Sequence, residues 1–206
     1  MKRTLHQLWR CDRAATAAEF TLVAPALLWM LFGVIDVGRF MWEVNQAEKA
    51  TQVGARFAVV TSPVSSGLVE ADFADSDTAA GELIPAGAFG ELTCTSASCT
   101  CSKDPCNGAA GAINGPAFTA LVGRMQDIYP KLTGANVRVI YRGSGFGFAG
   151  NPVGGGGTDT MEISPLITVS LSGVQVRPAS LFFAGINLPA ASTTLPAEDA
   201  SGAVSN

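Results

Sequence analysis

The order of apolar and polar positions first predicts a helix long enough to cross a membrane. From Phe20 to Ile35 only Thr21 is polar, and an alanine-rich run extends the segment back to Ala14. At about 1.5 Å per residue this segment makes a helix of about 33 Å, which matches a bilayer hydrocarbon core of about 30 Å. We therefore expect a transmembrane helix over residues 15–42.

The helical pattern continues beyond the membrane-length segment. Residues 36–60 contain no proline, and mostly small or apolar residues recur at steps of three and four to form one face: Phe40, Val44, Ala47, Thr51, Gly54 and Ala58. The opposite side is predicted to carry Glu43, Glu48, Lys49 and Gln52. The pattern predicts one continuous helix with a post-membrane part at residues 43–61. Pro25 is expected to kink it, because proline cannot donate the helical hydrogen bond.

The remaining residues, 62–196, mix short helical and strand patterns. Residues 62–114 and 143–160 are predicted to be mostly loop because they are rich in turn-forming residues. The predicted elements are a short helix at Leu68–Asp75, a helix at 116–132, and strands at Val137–Tyr141, Leu166–Leu171 and near Leu188–Leu195. The fold class is therefore α+β, with the long N-terminal helix packed on a small antiparallel sheet. Residues 197–206 are expected to be disordered.

The charge distribution predicts an orientation for the membrane helix. The net charge is −4, yet the leader contains Lys2, Arg3, Arg10 and Arg13. Basic residues beside a span stay in the cytoplasm, so residues 1–14 form a cytoplasmic leader and the domain at 62–196 lies on the other side. The acidic remainder offers no basic face for nucleic acid.

A cleaved secretory signal is the rival interpretation of this N-terminal segment. Such a signal has a shorter apolar core, followed by a small-x-small cleavage site. Here the apolar run leads into Asp36, Arg39, Phe40, Met41 and Trp42. This is a poor site for that peptidase, and Trp42 suits an interfacial anchor. The sequence therefore favours a retained span.

One carboxylate, Glu19, lies near the start of the apolar segment. A charged side chain in a bilayer is energetically costly, so we expect it to have a partner and a function. A glutamate near one end of a span either reaches the headgroups or neutralises a cation. The alternative is an uncleaved anchor that merely tolerates this glutamate.

Four overlapping or successive N-terminal segments resemble known sequence patterns. R-A-A-T-A-A-E-F at 13–20 resembles a type IV prepilin processing site. The segments A-A-x-x-A-E-F-x-L-V-A-P-x-L-L (14–28), F-G-V-I-D-V-G-R (32–39) and N-Q-A-x-x-A-T-Q-V-G-A-R-F-A (45–58) are similar to TadE/TadG-like minor pilins of the tight-adherence (Tad/Flp) pilus system. The similarity covers the first sixty residues well and the rest only in pattern.

The resemblance implies a processing site and its roles. In that family the prepilin peptidase, an aspartyl peptidase on the cytoplasmic side, cuts after a small residue. The fifth residue beyond the cut is Glu and an aromatic residue follows. Cleavage here would fall between Ala14 and Ala15, with Glu19 and Phe20 as the pairing and recognition residues. The family favours Gly before the cut, where this chain has Ala14. Cleavage would create an α-amino cation, which Glu19 of a neighbouring subunit can neutralise in low dielectric.

At the far end of the span, Asp36 and Arg39 have the i, i+3 spacing of a helix-surface ion pair. Arg39 can also reach Glu43 at i+4. The resemblance implies that this D-x-x-R pair is typical of the family. We expect it to anchor the helix at the membrane interface and not to carry out chemistry.

The cysteines predict disulfides outside the cytoplasm. Cys11 lies in the predicted leader and should stay reduced. The others follow a C-x4-C-x-C-x4-C spacing and belong on the oxidising side of the membrane: Cys94, Cys99, Cys101 and Cys106. Two pairings remain open, 94–99 with 101–106 or 94–101 with 99–106. A zinc site is less favoured because the spacing is uncommon and no histidine is present in the cluster. We expect the disulfides to staple a loop too polar to bury a core.

Catalysis and small-molecule binding are poorly supported by the sequence. The only histidine, His6, lies in the leader, and no serine sits in a nucleophile elbow. The glycine-rich run at 143–157 lacks the Lys-Ser/Thr pair and the following helix that a phosphate-binding loop needs. We expect no enzyme activity, no metal, no cofactor and no small-molecule substrate.

The function implied by the resemblance is that of a TadE-like minor pilin, a structural or priming subunit of a Tad-type pilus used in adherence. Its place would be the bacterial inner membrane, with the α+β domain in the periplasm. Its expected partners are membrane lipid, other pilin subunits, Tad-type secretion components and the prepilin peptidase. The alternative is an uncleaved, membrane-tethered periplasmic module that binds or scaffolds the secretion apparatus.

Overall fold

The computed structural model describes residues 12–74, 78–150, 161–178 and 185–197. Its longest element is helix α1, Asp12–Ala58, with Pro25 inside it. The prediction of one continuous helix through the membrane-length and post-membrane segments is confirmed. The predicted leader as far as Cys11 and the predicted tail from Glu198 lie outside the described residues.

Two shorter helices follow α1. Helix α2 spans Ser66–Glu70, where Ser65 Oγ caps the first turn by accepting a hydrogen bond from Leu68 N. Helix α3 spans Gly115–Gln126, with Asn114 as its N-cap and a proline in its first turn. The prediction placed the end of α3 at residue 132, which is wrong, because Pro130 disfavours a helical conformation in the residue before it. Two 3-10 turns occupy Ala86–Ala88 and Gly134–Asn136.

The chain after α1 builds a five-stranded antiparallel sheet. Its strands lie side by side in the order β2-β1-β3-β4-β7. The strands are β1 Glu91–Cys94, β2 Cys99–Lys103, β3 Val137–Arg142, β4 Leu166–Leu171 and β7 Ala191–Pro196. Two short strands, β5 Gln175–Val176 and β6 Ile186–Asn187, pair in a second, two-stranded sheet.

Residues 62–114 are mostly loop, as predicted, but they also contain two strands that the sequence did not indicate. The cysteine-containing part forms β1 and β2, and β1 pairs with the central strand β3. Leu92 and Cys94 are buried in this sheet, so the segment contributes to the core. The polar and cysteine residues of β1 and β2 have little intrinsic preference for strands, so the sequence did not indicate them. These strands are stabilised by pairing and packing with their neighbours in the sheet.

One face of the sheet is apolar and is covered by helices. Val139 of β3 lies opposite Val169 of β4, and both are fully buried. A Cβ placed on Gly54 of α1 would lie 2.8 Å from Cγ of Met125 in α3 and 3.3 Å from Cγ1 of Val169. The post-membrane part of α1 therefore packs on the sheet and on α3, as predicted for the spine helix.

The chain leaving α1 is fixed to this core by a buried tyrosine. Val64 N donates a hydrogen bond of 2.8 Å to the hydroxyl oxygen of Tyr141 in β3. Burial raises the pKa of Tyr141, and the hydrogen bond from Val64 acts against that rise. The phenol therefore stays neutral and keeps its place in the sheet.

The opposite face of the sheet is rich in hydroxyl groups. Thr168 of β4 and Thr194 of β7 lie opposite each other, with their Oγ1 atoms 2.8 Å apart. Ser102 of β2 donates a hydrogen bond of 2.7 Å to Thr93 of β1. This alternation of an apolar covered face and a polar open face is typical of an antiparallel sheet with one solvated side.

The chain divides into two compact units. One contains α1 as far as Glu43 together with residues 176–186, and the other contains residues 44–175 and 187–206.

Candidate functional site: the N-terminal helix

Glu19 and Phe20 lie on an uncovered part of α1. Both side chains are exposed, Phe20 by 72%. Glu19 makes no hydrogen bond or salt bridge to any residue that the structure describes, whereas the neighbouring Thr21 hydroxyl donates to the carbonyl of Ala17 at 2.7 Å. As far as the described residues go, the Glu19 carboxylate therefore remains available to a further group.

The segment around Glu19 is an exposed apolar surface. Helix residues from Thr16 onward contain an 18-residue window apolar enough to cross a membrane, and none of that window is buried inside the protein. We call this surface the apolar belt. Its large exposed side chains are Phe20, Leu22, Val23, Leu27, Leu28, Trp29, Met30, Leu31, Phe32, Val34, Ile35, Val37, Met41 and Trp42. So large a contiguous apolar surface is typical of a membrane or protein interface.

The predicted cleavage bond, Ala14–Ala15, lies in the first turns of α1, which begins at Asp12. Within the described residues nothing bears on whether it is cut, so processing stays a prediction. The same holds for recognition through Glu19 and Phe20.

At the other end of the apolar belt, Asp36 is partly covered and Arg39 is exposed. Their predicted ion pair stays a prediction. Glu43, which was expected on the exposed polar side, is instead 7% exposed. It precedes Ala47 by four residues and Ala50 by seven, which places it on the same helix face as the buried alanines.

The post-membrane part of α1 packs against the rest of the larger unit through a row of small residues. Of the predicted face, Ala47, Thr51, Gly54 and Ala58 are buried, whereas Phe40 and Val44 are only partly buried. Ala50 and Ala55 are buried as well. Thr51 Oγ1 lies 3.1 Å from Thr193 Oγ1 of the edge strand β7. Small side chains let the helix backbone come close to its neighbours, so this part of α1 is rigidly positioned in the larger unit.

Comparison with known proteins identifies the helix. Residues 14–56 match the family model described as TadE-like protein. The match begins at the predicted cleavage residue and ends two residues before the end of α1. It confirms, for this segment, the resemblance predicted from the sequence. No curated protein and no solved structure matches the chain.

Beyond the TadE-like segment, the four cysteines form two disulfides. Cys94 pairs with Cys99 and Cys101 with Cys106, which selects the first of the two predicted pairings. Cys94 and Cys99 are register partners in β1 and β2, with Cα atoms 3.9 Å apart. The second bond joins β2 to the chain that follows it. The expectation that the disulfides staple a polar loop is wrong, because three of these cysteines are buried and lie in or beside the sheet.

One trio of possible metal ligands exists among the described residues. The ligand atoms of Cys101, Asp104 and Cys106 lie within 4.8 Å of one another. Both sulfurs are joined in a disulfide, however, so neither is a thiolate that can bind a metal ion. Cys101 and Cys106 therefore form a structural disulfide, and the exposed carboxylate of Asp104 lies beside it.

Two apolar features in the structure were not predicted. The first is a patch on the larger unit, where Leu83 and Phe148 form a bridge and Phe146 lies two residues away. The exposed fractions of the Leu83, Phe146 and Phe148 side chains are 56%, 67% and 49%. Both phenylalanines lie in the glycine-rich run at 143–157, whereas Leu83 is distant in sequence and carries no signal.

The second feature is an apolar groove in the unit that contains the apolar belt. It is lined by Gly33, Asp36, Val37 and Phe40 of α1 and by Val176, Pro178 and Ile186, and its volume is about 350 Å³. Strands β5 and β6 have two residues each, which is too short for an alternating pattern to be recognised in the sequence. Only the apolar residues Val174 and Val176, two positions apart, hint at β5.

Proposed function

We propose that the chain is a TadE-like minor pilin that acts by assembly and not by catalysis. Its apolar belt spans the inner membrane, its basic leader lies in the cytoplasm and its α+β domain lies in the periplasm. After the prepilin peptidase removes residues 1–14, the subunit enters or primes a Tad-type pilus by packing α1 among the helices of other pilins.

The observation that carries this proposal is the environment of Glu19. The carboxylate is exposed at the start of an uncovered, membrane-length helix, and no described residue pairs with it. A carboxylate at the edge of hydrocarbon is costly unless a cation neutralises it. The α-amino group of a processed subunit supplies that cation, and one such pair per subunit would set the stagger of neighbouring helices.

The disulfides support the proposed orientation. Disulfides form and persist in oxidising compartments such as the periplasm. The two bonds at Cys94–Cys99 and Cys101–Cys106 lie after α1, whereas the basic residues lie before it. A basic leader on the cytoplasmic side and a disulfide-bonded domain on the periplasmic side require α1 to cross the membrane once.

Replacing Glu19 tests the role of its charge. We expect Glu19→Ala and Glu19→Gln to insert into the membrane at wild-type levels but to abolish pilus assembly, because neither side chain can neutralise an amine. The measurements are the amount of chain in purified inner membranes and the amount of sheared pili on the cell surface. Glu48→Ala is the matched control, since Glu48 is an exposed glutamate on the same helix outside the apolar belt. Normal pili in either Glu19 variant would contradict the proposal.

An uncleaved tether is the second candidate function. It is favoured by one observation, that Ala14 stands where the family has Gly before the cut. The intact mass of the membrane-extracted protein separates the two functions. A chain that begins at Ala15 supports the pilin, and a chain that begins at Met1 supports a fixed periplasmic module that binds or scaffolds the secretion apparatus.

A further inference from the structure

The short strands β5 and β6 bring a second apolar segment beside the membrane helix. Leu188 N donates a hydrogen bond of 2.8 Å to the carbonyl of Val174, next to the paired strands. Val176, Pro178 and Ile186 then line the apolar groove together with Gly33, Val37 and Phe40. We call these three residues of the β5 and β6 region the groove wall.

The chemistry of the groove suits a hydrocarbon chain. Apart from the Asp36 carboxylate, its lining side chains are apolar or absent. A Cβ built on Gly33 meets no atom within 4 Å, so the floor of the groove is open at that point. Ile186 on the wall is 45% exposed, although it faces an apolar cavity of about 350 Å³. An acyl chain fills such a space and needs no hydrogen-bond partner, whereas a polar peptide backbone would lose hydrogen bonds there.

The depth of the groove places it in the membrane. Gly33, Val37 and Phe40 all belong to the predicted span at 15–42. Gly33 lies nine residues before Trp42, which is about 13 Å along a helix. The groove thus runs along α1 from Phe40, close to Trp42, down to Gly33, and the residues that line it lie between the interface and that depth.

We propose that the groove wall inserts into the outer leaflet of the inner membrane and holds a phospholipid acyl chain against α1. The inference rests on the proposed function, because it requires α1 to span the membrane. The groove wall is continuous with the apolar belt, so both meet the same lipid. Arg177 stands between Val176 and Pro178 and is exposed, as is Arg39 beside Phe40. Their long side chains can reach the phosphate groups above the acyl chains.

Photolabelling from the lipid tests this placement. The full-length protein is reconstituted in vesicles of phosphatidylethanolamine and phosphatidylglycerol, with a small fraction of phospholipid that carries a diazirine in the middle of one acyl chain. After irradiation and digestion, adducts are mapped by mass spectrometry. We expect adducts on α1 between Phe20 and Phe40 and also on the groove wall. Labelling of α1 alone would overturn this inference and leave the proposed span intact. Labelling of neither segment would overturn both.

A pair of matched variants sharpens the result. We expect Ile186→Glu to lower labelling of the groove wall by at least about tenfold and to leave labelling of α1 unchanged, because a carboxylate is strongly disfavoured among acyl chains. Leu83→Glu is the control, since Leu83 is 56% exposed but lies in the other unit. It should change neither signal. Unchanged groove-wall labelling in Ile186→Glu would contradict the proposed insertion.

A photoreactive residue in place of Ile186 distinguishes lipid from protein as the occupant. With p-benzoylphenylalanine at position 186 in cells, irradiation should yield an adduct with the mass of a phospholipid. An adduct with another polypeptide would show that a neighbouring subunit fills the groove, and the inference would then be wrong. Intact disulfides in each variant, measured by mass, show that the larger unit has folded.

Discussion

At the scale of single residues, Gly54 decides how closely α1 approaches the core. Its Cα faces Met125 and Val169, which are fully buried and therefore have little freedom to move away. Any side chain at this position would enter space already occupied by Met125. In a well-packed interior such a conflict is resolved only by moving the helix or changing rotamers. The glycine is therefore a packing requirement, although glycine lowers the intrinsic stability of a helix.

A comparison of two glycines separates packing from helix propensity. Gly123, in α3, has no atom within 4 Å of a Cβ built on it. We expect Gly123→Ala to raise the free energy of unfolding by about 0.5–1 kcal/mol, which is the usual gain from Gly to Ala in a helix. Gly54→Ala should lose this gain, and Gly54→Leu should lower the free energy of unfolding by about 1–3 kcal/mol. Urea unfolding of the full-length chain in detergent, followed by circular dichroism, measures both. Equal gains for the two alanine variants would show that α1 does not pack tightly at Gly54.

At the scale of elements, the β1–β2 hairpin depends on its cysteines. Neither strand has the β-branched alternation that marks β3 and β4, and β2 lies at the edge of the sheet. The Cys94–Cys99 bond closes the hairpin beside the four-residue connection, and the Cys101–Cys106 bond holds the chain that leaves it. The disulfides thus supply part of the order that side-chain packing provides in the central strands.

Removing each disulfide in turn should reveal this dependence. Both bonds have a sequence separation of 5, so the loop-closure model gives each a similar contribution of about 2 kcal/mol. Cys94 and Cys99 are more deeply buried than Cys101 and Cys106. We therefore expect the Cys94→Ala/Cys99→Ala variant to be less stable than the Cys101→Ala/Cys106→Ala variant, because it also loses packed atoms. Urea unfolding under oxidising conditions compares the two, and the reverse order would contradict the burial argument.

The elements that the sequence predicted are those with a long or strongly marked period. Helix α1 repeats its pattern over many turns, and β3 and β4 alternate β-branched and polar residues, so local pattern was enough. Strands β1 and β2 were missed because their stability comes from disulfides and from pairing within the sheet, β2 with β1 and β1 with β3. Glu43 was assigned to the exposed side from its charge, although its spacing to Ala47 and Ala50 indicated the buried face. For Glu19, the sequence supplied the residue and the structure added that no described group neutralises it.

At the scale of the whole molecule, the two compact units expose surfaces of opposite character. The unit with the apolar belt leaves most of its large side chains uncovered, whereas the larger unit buries the apolar face of its sheet and exposes hydroxyl groups. A water-soluble protein rarely exposes so large an apolar surface, so the first unit is suited to contact with lipid or with apolar helices of other proteins. The family match ends at residue 56, so most of the larger unit lies outside the matched segment.

Charges placed in the apolar belt test whether it spans the membrane. Leu28 and Leu31 are both about half exposed and lie near the middle of the predicted span. An arginine at the centre of a transmembrane helix is disfavoured by about 2.5–3.5 kcal/mol on insertion scales, so two should lower membrane partitioning by more than about a thousandfold. We expect the Leu28→Arg/Leu31→Arg variant to stay at the bottom of a sucrose flotation gradient, while the wild type rises with the membranes.

Leu83→Arg/Phe148→Arg is the matched control, because it adds the same charge to exposed apolar residues of the larger unit and should still float. If the belt variant also rises, α1 does not depend on its apolar surface to enter the bilayer. The packing of α1 among other pilin helices would then have to begin outside the membrane.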